Sequence, residues 1–336
     1  MLRRRPLACP PARKRPAIGN IRADEGWVHS AMKKYLIRIP LLILGLLISL
    51  LLLATAAYRL TNHTNGTVVS SGEKRAYLLY VPDSYNPATP APLVISIHGF
   101  AEWPAHQMQI SRWNDLADQY GFIVVYPSGT RFPLRWRAYG AAGGEMDLMV
   151  DVTFISDLID LLEIEYNIDP ARSYANGLSN GGGMSFLLSC QLSERIAAIG
   201  AVSGAYLLPW VDCHPTRPVP AIIFHGTEDP IVPFQGGRSG PFDQPFPAIL
   251  DWVDSLAQLN GCTGDPLDLP ASGEVSGVQF TGCTSDAEVI FYTIAGGGHS
   301  WPGGDPMPER IVGYTSDDID ATQTMWDFFQ RHSLEH

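Results

Sequence analysis

The 336-residue chain is 46% hydrophobic and 17% charged, with 32 glycines, 27 prolines and a formal net charge of −11. This is a globular composition, too rich in turn formers for a helical bundle. The charge is divided, +8 over residues 1–38 and −19 over the rest, so the acidic body excludes nucleic acid as an expected partner.

Residues 1–31 form a basic, Pro-rich leader with no evident folded pattern, and Met32 is the expected natural start. The uncharged run "IPLLILGLLISLLLLATAAY" (39–58) follows "MKKYLIR" and is long enough to cross a bilayer core as a helix. Residues 32–58 therefore read as a signal peptide, with Ala54-Thr55-Ala56 as its cleavage site, or as an uncleaved anchor obeying the positive-inside rule. Either way the body lies outside the cytoplasm, extracellular or periplasmic, and touches a membrane only through residues 39–58. Residues 59–65 are a linker bearing glycosylation sequons at Asn62 and Asn65.

The body, 66–332, reads as one domain. "GTVVSSGEKRAYLLYVPDSY" (66–85) is a hairpin about Ser-Ser-Gly. "APLVISIHGF" (91–100) and "FIVVYPSG" (122–129) are buried strands, separated by a single helix over "MQISRWNDLADQYG" ending at Gly121. "VDVTFISDLIDLLEIEYNI" (150–168) is a long helix stopped near Asp169-Pro170. "RSYANG" (172–177) is a weak strand leading by a turn into the helix "NGGGMSFLLSCQLS". Two further buried strands, "IAAIGAVSG" and "VPAIIFHGTEDP", precede a helix over "FPAILDWVDSLAQLNGC", the strand "EVIFYTIAGGG" and a last helix "ATQTMWDFFQRH". Strands apolar on both faces, alternating with helices, specify an α/β fold with a mostly parallel central sheet covered on both sides. The body's four cysteines, an even number in an exported protein, imply two disulfides. Three connectivities are open; near-neighbour pairing, Cys190–Cys213 and Cys262–Cys283, is favoured, each worth about 3 kcal/mol in the chain-entropy description. No C-x-x-C spacing supports a zinc site, the histidines are scattered, and neither a metal nor a cofactor is expected.

Chemistry concentrates at "SYANGLSNGGGMSF" (173–186), where Ser179 occupies a G-x-S-x-G pattern between a strand and a helix. A serine hydroxyl needs a base, an acid that orients the base, and donors for an oxyanion. Gly177 and Gly181 would let strand and helix approach where a Cβ would block them. On such scaffolds the acid and the histidine follow the serine in that order. His299, in the loop "GGGHSWPGG", is the expected base, whereas His332 and His336 lie at a helix tail and the chain end. Asp229, in "FHGTEDP", is the expected acid, with Glu228 as its near alternative. The backbone N–H groups of Asn180 and Phe100 would form the oxyanion hole, with His98 holding the loop. Trp103, Trp136 and Trp301, in predicted loops, are candidates for an aromatic substrate cleft; Trp210 also lies in such a loop.

The stretches "YLLYVPDSY", "PLVISIHGF", "GLSNGGGMSFLLSC", "RPVPAIIFHGTEDPIVPF", "LNGC", "GGGHSWPGG" and "ATQTMWDFF" occur in that order. Through them the chain resembles the secreted polyhydroxybutyrate depolymerase-like esterases of the α/β-hydrolase superfamily, relatives of feruloyl and acetyl xylan esterases. The resemblance implies that fold, Ser179, Asp229 and His299 as catalytic residues, the Cys262–Cys283 pair, and an ester substrate such as hydroxyalkanoate oligomers. Feruloyl or acetylated plant polysaccharide is the alternative substrate, and a non-catalytic exported binding module the alternative of another class. A peptidase would share the same machinery. The loop "LRWRAYGAAGGEMDLMVD" (134–151) departs from the tryptophan- and cysteine-containing loop expected there, so the substrate carries over weakly. Polymer-degrading members often carry an extra binding domain, and none is expected here.

Overall fold

The computed structural model describes residues 25–138, 147–239 and 242–335. Two units, residues 1–58 and 59–336, are distinguished. In the first, α1 begins at Glu25 and continues to Thr61. Among the described residues, this helix takes in 25–31 of the leader as well as Met32. Its apolar stretch Ile39–Ala56 has a mean hydropathy of 2.7 and is fully exposed, as an 18-residue membrane-spanning segment would be.

The second unit opens with the expected hairpin, β1 (Gly66–Ser70) and β2 (Glu73–Tyr80). Its two-residue turn, Ser71-Gly72, has both φ angles positive, the twist that favours tight hairpins. Then come β3 (Ala91–Ile97), α2 (Pro104–Ser111), α3 (Trp113–Tyr120), β4 (Ile123–Pro127), α4 (Met149–Glu165), β5 (Ile168–Leu178) and α5 (Asn180–Gln191). Next are β6 (Ala198–Val202), β7 (Ala221–Gly226), a small hairpin of β8 (Gly237–Ser239) and β9 (Phe242–Phe246), and α6 (Ile249–Leu259). The chain closes with β10 (Leu267–Ser272), β11 (Val275–Phe280), β12 (Val289–Ile294), α7 (Glu309–Val312) and α8 (Ala321–Phe329).

The main sheet has the order β1-β2-β4-β3-β5-β6-β7-β12-β11-β10. β4, β3, β5, β6, β7 and β12 run parallel, and an antiparallel hairpin extends each end. Alternate residues of the parallel strands feed two cores. Leu93, Ile95 and Ile97 join Phe154, Leu158, Leu187 and Trp252 of α4, α5 and α6. Val94, Val124 and Phe224 join Trp113, Met325 and Phe329 of α3 and α8. This explains the unbroken apolar runs: each strand buries both its faces. Each such side chain contributes about 1.5–3 kcal/mol by leaving water.

Two expectations are corrected. The stretch 108–121 is two helices, because Arg112 adopts φ 55° and breaks the run. The break lets a polar residue from each helix reach one buried group. Gln107 Nε2 donates to Ser96 Oγ (3.0 Å), Trp113 Nε1 to Asn176 Oδ1 (3.0 Å), and Ser96 Oγ to Asn176 Oδ1 (2.9 Å). Asp169-Pro170 does not stop a helix; α4 ends at Glu165 and these residues lie in β5. The β3–β5 register shifts between Ala91 and Leu93, and such an irregularity accommodates a proline that cannot donate to the ladder. Hairpin β10–β11, in a stretch of mixed polarity, gave no clear strand pattern in the sequence. Both disulfides follow the near-neighbour pairing, Cys190–Cys213 and Cys262–Cys283.

Candidate active site

Because β3, β5, β6, β7 and β12 are adjacent and parallel, the segments leaving their C-terminal ends gather along one sheet edge. Ser179 follows β5 directly, Asp229 comes three residues after β7, and His299 five after β12. The edges of open parallel sheets are where such folds place ligands.

Ser179 sits at φ 57°, ψ −118°, a region that non-glycine residues enter only under constraint. The constraint is visible. Ser179 N–H donates to Val202 O (2.9 Å), and Ser179 O accepts from Gly183 N (3.0 Å) and Ala205 N (2.8 Å). A Cβ on Gly181 would stand 2.0 Å from Ile97 O, and one on Gly177 2.5 Å from the Gly181 backbone. Helix α5 therefore crosses β3 and β5 at a distance that only glycine permits. The side chain of Ser179 is held on a sharp strand-to-helix turn, 8% exposed.

Asp229 is buried and fully engaged. Its Oδ1 accepts from the N–H groups of Ile231 and Val232, both 2.8 Å, and its Oδ2 accepts from His299 Nδ1 at 2.8 Å. Burial alone would raise this carboxyl. The His299 and His225 imidazoles and the Val232 N–H outweigh it and hold Asp229 below the ordinary carboxylate range. A carboxylate only accepts, so His299 Nδ1 carries the hydrogen and Nε2 is left as the basic nitrogen. Glu228, the sequence alternative, is exposed and donates its N–H to Gly297 O. His332 pairs with Glu288 Oε1 at 3.1 Å rather than with helix carbonyls.

The loop after β3 is braced from several sides. His98 Nε2 accepts from Gly129 N (3.0 Å), so Nδ1 bears the hydrogen and donates to Gly99 O (2.7 Å). Burial pushes His98 down to about 4, and the ring is neutral. Ala101 N–H donates to Leu134 O (2.8 Å). Phe100 lies in this loop, and Asn180 opens α5; the strands before them, β3 and β5, are paired up to Ile97 and Gly177.

The tryptophans separate. Trp136 is fully buried, donates Nε1–H to His98 O (2.9 Å) and stacks on Phe154. Its backbone N–H donates to Asn180 Oδ1 (2.7 Å), and Asn180 Nδ2 returns a bond to Trp136 O (3.3 Å). Trp301 is 1% exposed and donates Nε1–H to Thr322 Oγ1 (2.8 Å). Both are buried, each with its indole N–H engaged. Trp210 belongs to an aromatic cluster with Phe186 and Trp252. Trp103 is half-buried beside His106, their rings 5.3 Å apart. Part of the loop 134–151 lies outside the described residues. Sequence reasoning missed the Asn180–Trp136 clasp, a second histidine on Asp229 (His225 Nε2, 3.4 Å from Oδ2) and a carboxylate, Glu102, in the β3 loop. Only the H-G repeat at 225–226 carried any signal for these.

The family described as "Esterase PHB depolymerase" matches residues 75–214, a span that includes Ser179 and Phe100. The chain is 28% identical over 286 residues to a putative esterase NocK of Nocardia uniformis subsp. tsuyamanensis, covering 78% of this chain and 80% of that protein. It is 30% identical over 232 residues to a probable feruloyl esterase C of Aspergillus flavus, covering 67% of this chain and 76% of the relative. Among solved structures, an acetyl xylan esterase from Aspergillus awamori superposes with a TM-score of 0.56 at 17% identity, covering 79% of this chain and 98% of that one. At that identity the likeness concerns the fold.

Proposed function

Since the chain belongs to the PHB depolymerase family of esterases, which hydrolyse carboxylic esters, we propose that it works through Ser179, His299 and Asp229 by an acyl-enzyme. His299 Nε2 takes the proton from Ser179 Oγ as Oγ bonds to the ester carbonyl carbon. The backbone N–H groups of Phe100 and Asn180 hold the oxyanion; each such donor is worth about 3 kcal/mol in the transition state. The C–O bond to the alcohol breaks, and the alcohol leaves with the proton from His299. Water then gives a proton to His299 Nε2 and attacks the acyl carbon; the bond to Ser179 Oγ breaks, Oγ regains the proton from His299, and the acid leaves.

The observation that carries this reading is the Asp229–His299 bond of 2.8 Å, with the other carboxylate oxygen held by two N–H groups. It fixes the tautomer that leaves Nε2 able to accept a proton. The strained backbone of Ser179 supports it further. The test is hydrolysis of p-nitrophenyl butyrate together with labelling by a fluorophosphonate. Wild type should hydrolyse and label, and Ser179→Ala should do neither. A variant with full activity would remove Ser179 from the mechanism, and an unlabelled, inactive wild type would leave a binding module.

The substrate we favour is a short hydroxyalkanoate ester. Similarity to a feruloyl esterase C favours feruloyl or acetyl esters of plant polysaccharide as the second reading. Comparing kcat/KM on hydroxybutyrate oligomers, methyl ferulate and acetylated xylan separates them. The apolar helix and two disulfides fit an exported protein. Whether Ile39–Ala56 stays as an anchor is decided by N-terminal sequencing of the mature protein and by its partition between membrane and soluble fractions.

A further inference from the structure

We propose that Glu102 is a specificity-determining residue, whose fixed carboxylate beside Ser179 favours esters bearing positive charge near the scissile bond and disfavours those bearing negative charge. This rests on Ser179 being the nucleophile.

The sequence "HGFAEWPA" places Glu102 three residues after Gly99, and the loop folds so that each reaches the other. Gly99 N–H donates to Glu102 Oε2 (2.8 Å), and Glu102 N–H donates back to Gly99 O (3.3 Å). Ala101 at φ 62° makes the bend between them. A Cβ built on Gly99 would stand 2.8 Å from Glu102 Oε2 and 3.4 Å from Ser179 Cβ. The carboxylate and the serine therefore flank the same side of Gly99, and the loop is the one that holds the Phe100 N–H.

Three features make this a charge. The side chain is only 15% exposed, so solvent screens it weakly. Its one ion-pair partner among the described residues is His106 Nδ1 at 3.6 Å; no lysine or arginine neutralises it. Burial would raise the carboxyl, yet His106 and the Gly99 N–H hold it below its usual range, so it is ionised at neutral pH. The bond to Gly99 needs only an acceptor, which a glutamine would supply. What the glutamate adds is negative potential close to where an oxyanion must form. An anionic substituent beside the reacting ester meets repulsion there, and a cationic one is attracted.

Isosteric pairs isolate charge from size. Butyrylcholine and 3,3-dimethylbutyl butyrate differ by N⁺ for C in the alcohol. Methyl 4-(trimethylammonio)butyrate and methyl 5,5-dimethylhexanoate differ likewise in the acyl group. For at least one pair the wild type should favour the cationic ester, and Glu102→Gln, which keeps an acceptor for Gly99, should lower the ratio of kcat/KM values about tenfold at low salt. In the wild type the same preference should shrink at high ionic strength. Ratios for both pairs that are unchanged in Glu102→Gln, or a wild-type preference indifferent to salt, would overturn the assignment and leave Glu102 a loop brace. A wild type that hydrolyses none of the neutral esters would instead remove the esterase reading itself.

Discussion

Two strands of the parallel sheet lead out through the same dipeptide, His98-Gly99 just after β3 and His225-Gly226 as the last two residues of β7, and the two histidines do opposite things. His98 accepts from Gly129 N–H through Nε2 and donates through Nδ1. His225 faces Val232 O through Nε2 (2.9 Å), and since a carbonyl only accepts, Nε2 bears the hydrogen; its Nδ1 has no hydrogen-bond partner among the described residues. The first is satisfied at both nitrogens and braces the loop carrying Phe100. The second is satisfied at one and leans on Oδ2 of Asp229, a carboxylate that His299 already holds through Oδ2 and the 231–232 backbone through Oδ1. The lesson is that a local motif fixes burial, while the loop behind it fixes tautomer and duty.

The largest expected effect strikes the acid. Asp229→Asn can no longer fix the His299 tautomer, and kcat on p-nitrophenyl butyrate should fall about ten-thousandfold with an intact fold by circular dichroism. His98→Ala should cost less, about a hundredfold in kcat with KM less affected, because the donor at Phe100 is displaced rather than removed. Equal losses in steady-state kinetics would erase the distinction between chemical and bracing roles.

The sequence carried most of the architecture, for a physical reason: strands buried on both faces must be apolar throughout, and "LVISI", "FIVVY" and "AIIF" say so directly. It was weaker where polar atoms decide. The break at Arg112 exists to let Gln107 and Trp113 reach Ser96 and Asn176, a requirement invisible to hydrophobic periodicity. The proximity of Asp229 to His299 was readable from chain order along one sheet edge. The burial of Trp136 and Trp301 was not, because an aromatic residue in a loop looks the same whether it lines a cleft or plugs the core. Glu102 was silent, since nothing in "GFAEW" announces that the chain turns back on Gly99.

Acid should sharpen the comparison in a second way. His98 is held neutral with its pKa lowered by burial to about 4, against about 6.5 in an unfolded chain. Between those values the unfolded state binds a proton that the folded state refuses, so stability falls with decreasing pH, by on the order of 3 kcal/mol across the window. His225, lowered by the same burial, adds in the same direction. Asp229 acts lower: its stabilisation is complete above about 3.9 and disappears as pH drops through its depressed folded value. Urea midpoints from pH 7 to 4 should decline steadily, and His98→Gln should flatten part of that decline. A wild-type profile flat over this range would mean that neither ring is held neutral.

The smallest effect belongs to His225, and it is the one that decides whether the two turns differ in kind. His225→Gln presents an N–H near the old Nε2, so Val232 O keeps a donor and kcat should stay within about threefold of wild type. His225→Leu removes the donor, leaving a buried carbonyl unpaired at about 1–3 kcal/mol in urea unfolding. Its kcat should fall less than about tenfold, because Asp229 still holds two backbone N–H groups and His299. The matching variant His98→Leu frees both Gly99 O and Gly129 N–H at once, and should lose more in both stability and rate. If His225→Leu proved the worse of the two in kcat, the acid would depend on its second imidazole. His225 would then stand with His299 as a functional partner of Asp229.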